Sequence, residues 1–212
     1  MDGEPASDRE VTGKKVRGVA MRPRVFDMNS ALDQALKIFW QHGYEGASLS
    51  NLTRAMGINR SSMYSTFGNK ETLFHMALER YIEGPLAVIS KALNEPTARA
   101  VVEKVLRVTA EAYTNPQTPP GCLTVQGALA CGKESDPIRL ELSERRMMIE
   151  VALRERLEQA KSSGDLPADS DPATLARYII TIIQGMAVQS TSGTSHEELQ
   201  QVVEMALRSW PT

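Results

Sequence analysis

Residues 48–67 read SLSNLTRAMGINRSSMYSTF, which is two short helical segments separated by a glycine turn. Ser48 belongs to the residue types that cap a helix N-terminus, and Gly57 to those that end a helix. Asn59 can cap the second segment, over residues 60–67, because its side-chain oxygen accepts from the free N–H groups of a first turn. Two short helices joined by a tight turn are the helix-turn-helix geometry. The stretch therefore predicts a DNA-reading unit.

The second helix of this unit has an anchored face and a polar face. Met63 and Phe67 are spaced to face a core. The opposite face carries short, polar or cationic side chains, which let a helix sit deep in a major groove, where Arg can donate a bidentate pair to guanine. The candidate DNA contacts on this helix are Arg60, Ser61, Ser62, Tyr64 and Ser65.

The pattern on either side predicts an all-α fold of about nine helices and no strand. Apolar residues at helical spacing over residues 32–40 predict helix one, ending near His42-Gly43, and those over 73–82 predict helix four, ending at Gly84-Pro85. Asp136-Pro137 and Asp171-Pro172 each predict an N-cap followed by proline at the first helical position. The other predicted helices cover residues 97–113, a short segment from residue 122, and 196–209, the last with a Ser195/Glu198 capping box.

The composition narrows the class of protein. The 212 residues are 42% hydrophobic, 24% charged and 5% aromatic, which favours a helical protein with one large or two small domains and excludes disorder and collagen-like repetition. No apolar run approaches the roughly 20 residues that a bilayer requires, and no signal peptide is apparent. Cys122 and Cys131 are too few for a disulfide framework. We therefore predict a cytoplasmic protein with no membrane partner.

The stretch from Phe26 to Tyr81 resembles the N-terminal domain of TetR-family transcriptional repressors. This resemblance implies an all-helical homodimer, with a DNA reader in front and a larger ligand-responsive domain behind. We expect a disordered basic arm over residues 1–24, a helix-turn-helix DNA-binding domain over 25–70, and an effector-binding and dimerisation domain over 71–212. The residues that carry the resemblance are Ala35, Phe39, Gly43-Tyr44, Ser48-Leu49, Leu52, Met56-Gly57-Ile58, Tyr64, Phe67, Lys70-Glu71 and Leu73-Phe74.

The resemblance also implies contacts to the DNA backbone. Tyr64 and Lys70 are implied phosphate contacts, joined by Ser48 at a helix N-terminus, where backbone N–H groups point at the anion. Arg22 and Arg24 resemble a basic arm that reaches an adjacent minor groove. They end an acid-free run that also holds Lys14, Lys15 and Arg17, and a solvated tail is the alternative interpretation of that run.

The last two predicted helices carry more apolar surface than one chain needs. The helix after Asp171 is apolar nearly all round, and the last helix has a regular stripe. A two-fold four-helix interface is the expected result, and a fully buried helix in a monomer is the alternative. The candidate dimer contacts are Ile180, Ile183, Ala187, Val202, Val203 and Ala206.

The family resemblance also implies an effector pocket, which would lie between helices four to eight. For each candidate, a plain core role is the alternative. The candidate lining residues are Leu86, Ile89, Tyr113, Cys122, Val125, Gln126, Leu129, Met147, Met148 and Tyr178.

Gly121-Cys122-Leu123, residues 183–186 and the Trp210-Pro211 ending resemble the branch of the family that includes copper-responsive ComR repressors. Cu(I) prefers thiolate and thioether donors, which Cys122, Cys131 and Met147 or Met148 could supply. The nine-residue cysteine spacing is not a metal-ligand spacing, so buried inert thiols and a reactive thiol switch at Cys122 remain as alternatives.

No motif of an enzyme appears. The sequence lacks a Gly-rich phosphate loop, GxSxG, HExxH and paired carboxylates, so we predict no enzyme and no cofactor. A nucleoid-type DNA protein without a ligand remains as another alternative. We predict a homodimeric repressor that binds a near-palindromic double-stranded operator and is released by a small-molecule effector; the alternative is a copper- or thiol-responsive repressor of the same family.

Overall fold

The structure is a computed structural model that describes residues 27–129 and 135–211, with only the backbone of residues 128 and 129. These ranges hold ten α-helices and no strand. The helices are α1 (Met28–Gly46), α2 (Leu49–Met56), α3 (Arg60–Phe67), α4 (Lys70–Glu83), α5 (Ala87–Ala92), α6 (Ala98–Tyr113), α7 (Leu123–Leu129), α8 (Asp136–Ser162), α9 (Pro172–Thr191) and α10 (His196–Arg208).

The predicted all-α class is confirmed, with one helix more than expected. The additional helix is α5, which follows the predicted break at Gly84-Pro85 and is too short to show an apolar repeat of its own. The predicted end of helix one near His42-Gly43 coincides with a kink at Gly43, where φ is 68°, and a short helical segment continues beyond the kink to Gly46. Glycine adopts this left-handed conformation without the strain that a Cβ would add.

The predicted helix caps around the turn are confirmed. Ser48 Oγ accepts from the Asn51 N–H at 3.1 Å, and Asn59 Oδ1 accepts from the Ser62 N–H at 2.8 Å. The predicted cap at Asp136 is wrong: Ser135 occupies the N-cap position without a side-chain cap bond. The Asp136 carboxylate instead accepts from Arg139 Nε at 2.9 Å.

Helices α1–α3, which form the reader, and helices α4–α10, which we call the rear helices, share one connected core. Helix α1 packs on α2 and α4, and it also packs on α7. At this junction the buried Trp40 indole Nε1 donates to the Gly121 carbonyl oxygen at 3.2 Å. Behind it, α9 packs on both α6 and α8, and α10 packs mainly on α6. The junction therefore connects the helix-turn-helix to the segment that begins α7.

Candidate DNA-binding surface and effector cavity

Helix α3 presents the polar face that the sequence predicts. Met63 and Phe67 are buried in the core beneath it. Four of the predicted contacts are exposed and Ser62 is half-buried. The exposed ones are Arg60, Ser61, Tyr64 and Ser65.

The Arg60 guanidinium is held at the N-terminal end of the polar face of α3. Its Nη2 donates to Ser50 Oγ in the first turn of α2 at 3.0 Å. Ser48, two residues earlier, uses its hydroxyl oxygen to cap α2 and remains exposed. Sequence reasoning missed Ser50, because its pairing with Arg60 depends on the angle between the two helices.

Lys70 lies at the N-terminus of α4 and points back toward the end of α1. Its Nζ is 4.5 Å from the centroid of the Tyr44 ring, and it donates to the Glu45 carbonyl oxygen at 3.5 Å. Partial burial lowers the pKa of Lys70, because desolvation disfavours the ammonium ion. Tyr44 therefore orients this cation, a role that sequence reasoning did not assign. The other two predicted DNA contacts, Arg22 and Arg24, lie outside the described residues.

The buried sulfur of Cys122 lies against a small cavity in the rear helices. The Tyr81 hydroxyl donates to Cys122 Sγ at 3.3 Å, and Thr124 Oγ1 lies 3.2 Å from the same sulfur. Burial raises the pKa of Tyr81 and of Tyr113 well above its usual value, and the neighbouring sulfur raises both further. Both phenols therefore remain hydroxyl donors at neutral pH.

This cavity of about 20 Å³ has room for about one water molecule. A groove of about 220 Å³ lies beside it, between α4, α5 and α8. Leu86, Ile89 and Ile149 line both spaces and form the wall between them. The groove is further lined by Ile82, Ser90, Leu93, Arg145, Met148 and Ala152.

About half of the predicted pocket residues surround these spaces. Met148 lines the groove, and those around the inner cavity are Leu86, Ile89, Tyr113, Cys122 and Val125. Tyr178, which pairs with Ser209 through its hydroxyl at 3.0 Å, and Met147 are exposed elsewhere. Gln126 donates to the Pro120 carbonyl at 3.2 Å instead. The Leu129 side chain lies outside the described residues.

The inner cavity is also lined by Thr124, Arg146 and Gln184, which sequence reasoning missed. Arg146 sits in a helix with many charged residues, so the pattern did not distinguish it from its exposed neighbours. Its Nη1 donates to the Thr124 carbonyl oxygen.

The predicted soft-donor copper set is not brought together within the described ranges. Cys122 is buried, whereas Met147 and Met148 are exposed on α8. Cys131 lies outside the described residues. Among the residues that the structure covers, no group of three or more His, Cys, Asp or Glu side chains is placed to hold a metal ion.

The predicted dimer contacts need correction, because all of them except Val202 are buried inside the protomer. Helix α9 packs its isoleucine-rich side against α6 and α8. The surface that the pattern assigned to a partner is therefore covered within the protomer. The buried residues are Ile180, Ile183, Ala187, Val203 and Ala206.

A different surface on the same two helices faces solvent. Gly185 lies within it, and a Cβ built on Gly185 would meet no atom within 4 Å, so a second backbone could approach closely there. We name this surface the α9/α10 face; it comprises Tyr178, Thr181, Gly185, Val188, Val202 and Met205.

No helix in the part of the chain that the structure describes is long and apolar enough to cross a bilayer.

Comparison with known proteins matches both parts of the chain. Residues 31–77 match the family model "Bacterial regulatory proteins, tetR family", and residues 97–210 match "Tetracyclin repressor-like, C-terminal domain". The HTH-type transcriptional repressor ComR of Escherichia coli K12 is 36% identical over 208 residues, covering 97% of this chain and 98% of the relative. The predicted resemblance to ComR is therefore confirmed.

One solved structure and one further relative extend the match. A cysteine mutant of the TetR family regulator CifR, complexed with a 26-base-pair operator DNA, is 42% identical with a TM-score of 0.85, covering 90% of this chain and 100% of that chain. The HTH-type repressor BdcR of Escherichia coli K12 is 25% identical, covering 91% of this chain and 93% of the relative. The chain therefore belongs to the TetR family of bacterial transcriptional regulators.

Proposed function

We propose that the protein is a ligand-responsive transcriptional repressor that binds a near-palindromic operator as a homodimer and leaves it when a small effector occupies the rear helices. The exposed polar face of α3, with Arg60 held at its start, is the observation that carries this proposal. Binding-site selection from random duplexes should enrich two inverted half-sites. Recovery of no preferred sequence would favour a nucleoid-type protein instead.

The proposed division of labour follows the chain. A basic arm over residues 1–24 and a reader over 25–70 contact DNA, and residues 71–212 bind the effector and the partner subunit. Arg60, Ser61 and Ser65 face base edges, because they lie on the exposed side of α3. Ser48, Tyr64 and Lys70 contact phosphate, and Arg22 and Arg24 reach the minor groove.

Release by the effector is a shift between two conformations. The two α3 helices of a dimer must match half-sites about one helical turn apart, roughly 34 to 36 Å, or a multiple of it. An effector that binds better to a protomer with a different α3 spacing moves the population away from the DNA-bound form. The Trp40–Gly121 hydrogen bond supports this coupling, since Gly121 directly precedes the cavity residue Cys122.

Arg60→Ala and Lys70→Ala are expected to differ in kind. Loss of Arg60 should cost about 1 to 3 kcal/mol on the operator and relax the preference at one base pair. Loss of Lys70 should weaken binding to all sequences and lower the salt slope by about one, because one phosphate contact is lost. Fluorescence anisotropy with the operator, single-base variants and a salt series measures both effects.

The matched control is Arg139→Ala, which removes a positive charge from α8, where Arg139 pairs with Asp136. It should leave DNA affinity unchanged. If Arg60→Ala keeps the original affinity and the original sequence preference, Arg60 does not contact the base edges.

A thiol-responsive repressor is the second candidate function. It is favoured by the groups that surround Cys122 Sγ: the Tyr81 hydroxyl donates to it, the Tyr113 hydroxyl faces it, and the Arg146 guanidinium lies near it. A neighbouring cation is typical of the surroundings of reactive cysteines. An electrophile that reached the cavity would add bulk at the residue next to Gly121.

Cys122→Ser is expected to retain operator binding and lose release by an electrophile, because the hydroxyl can accept from Tyr81 but is a much weaker nucleophile. Iodoacetamide is a suitable probe in a Cys131→Ser background, with operator release followed by anisotropy and alkylation by mass spectrometry. A native Cys122 that stays unreactive while the protein binds DNA would eliminate the thiol mechanism and leave a non-covalent effector.

A further inference from the structure

Within the described residues, Arg146 differs from the adjacent Arg145 in having no acidic partner. Arg145 pairs with Glu79 and Glu141 on the groove side of α8. For Arg146, which lines the inner cavity, the described ranges contain no ion pair, and its Nη1 donates only to the neutral Thr124 carbonyl. Burial lowers the pKa of Arg146, because desolvation disfavours the cation, yet a guanidinium remains charged in proteins.

A partly buried cation without a counterion favours binding of an anion. Desolvation has already weakened the interaction of the guanidinium with water, and its planar donors match a carboxylate in a bidentate pair. Among the described residues, the Thr124 carbonyl oxygen is the acceptor that Arg146 contacts. The guanidinium has five N–H donors, and the residue lines the inner cavity, where a ligand anion could meet the remaining ones.

The side chains around Arg146 indicate what the uncharged part of the ligand must be. Leu86, Ile89 and Ile149 separate the cavity from the neighbouring groove and line both. The groove itself, about 220 Å³, is mostly apolar and falls below the roughly 300 to 1,000 Å³ of drug-sized pockets. A ligand that reaches Arg146 through this groove must be small and must carry its apolar part behind its charge.

We propose that the rear helices bind a small amphiphilic carboxylate, whose head pairs with Arg146 and whose apolar tail occupies the groove between α4, α5 and α8. Entry displaces the Leu86 and Ile89 side chains, because the inner cavity of about 20 Å³ is smaller than a carboxylate group. Binding itself requires only this geometry; the role of the ligand as an effector rests on the proposed function.

The first test compares two ligands that share a tail. Octanoate and octan-1-ol are titrated separately into the full-length protein by isothermal titration calorimetry at neutral pH. Octanoate should bind at least tenfold more tightly than the alcohol and raise the melting temperature. Equal affinities, or no octanoate binding at millimolar concentration, would overturn the proposal without any variant.

The second test assigns the preference to one side chain. Arg146→Gln keeps an amide donor for Thr124 and should weaken octanoate binding at least tenfold, while octan-1-ol binding stays within twofold. Arg139→Gln removes the same charge from an exposed position of α8 and should change neither. An Arg146→Gln protein that still prefers the carboxylate, or an equal loss in Arg139→Gln, would overturn the assignment. Circular dichroism verifies that each variant is folded.

Operator binding is measured in parallel and separates the two proposals. Octanoate that binds through Arg146 but leaves the operator complex intact supports the carboxylate site and contradicts the effector role. Protein that selects no operator contradicts the proposed function alone, because the ligand titrations do not involve DNA.

Discussion

Val188→Glu is expected to convert the protein into folded monomers that no longer hold an operator. Val188 is 44% exposed on the α9/α10 face, about one helical turn from Gly185, where a second backbone could approach. In a two-fold interface the substitution occurs twice, so two carboxylates become buried without partners. An uncompensated buried charge costs about 3 to 5 kcal/mol, and about 1.4 kcal/mol is tenfold in an equilibrium constant. The dimer constant should therefore fall by more than about a thousandfold.

Sedimentation velocity across a concentration series measures this change, and anisotropy measures the loss of operator affinity. The matched control is Leu140→Glu, which places the same charge at a 53% exposed apolar position on α8, outside the α9/α10 face. It should remain dimeric. A wild-type protein that sediments as a monomer at micromolar concentration would refute the homodimer.

Val203→Glu provides a contrast next to an exposed residue. Val203 is 0% exposed, whereas the adjacent Val202 belongs to the α9/α10 face. Glutamate at 203 is therefore expected to unfold the protomer, and circular dichroism distinguishes that result from dissociation into folded monomers.

Gly121→Ala is expected to lower the free energy of unfolding strongly, and Gly164→Ala is its control. Gly121 has φ 78°, and a Cβ there would lie 2.8 Å from the Ala187 carbonyl oxygen and 2.9 Å from Thr191 Cγ2. Because the carbonyl belongs to the backbone of α9, it cannot rotate away. Left-handed strain of about 1 to 2 kcal/mol adds to overpacking of about 1 to 3 kcal/mol. The total expected loss is about 2 to 5 kcal/mol.

Gly164→Ala isolates the strain from the crowding. Gly164 has φ 80°, yet a Cβ there would meet no atom within 4 Å. Its alanine variant should lose only about 1 to 2 kcal/mol. Urea unfolding at one fixed protein concentration compares the two variants. Equal losses would mean that the surroundings of Gly121 contribute nothing beyond its backbone conformation.

Features that depend on a few consecutive residues were predictable. Ser48 and Asn59 cap their helices as their spacing indicates, because the cap and its N–H partner are three residues apart. Met63 and Phe67 are buried because an eight-residue helix with two apolar residues on one side can bury only that side. The reader was therefore evident from local sequence.

Features that depend on which helices meet were not predictable. The face of α9 that holds Ile180 and Ile183 could meet either a partner or the protomer, and periodicity does not distinguish these neighbours. The structure assigns that face to α6 and α8. Arg146 and Ser50 gain their significance from segments more than five residues away, as shown by the Thr124 and Arg60 contacts. No local pattern carries that information.

The Trp40–Gly121 contact has a consequence for exchanging parts between relatives. Recombination that replaces the reader alone would set a new residue 40 against an unchanged Gly121 carbonyl, and would also separate α1 from Leu78 and Tyr81, which are buried beyond residue 70. A viable chimera would therefore need its crossover after α4 and a donor with an indole at position 40. The smallest part that could be exchanged intact is therefore the reader together with α4 and a residue 40 that reaches the Gly121 carbonyl.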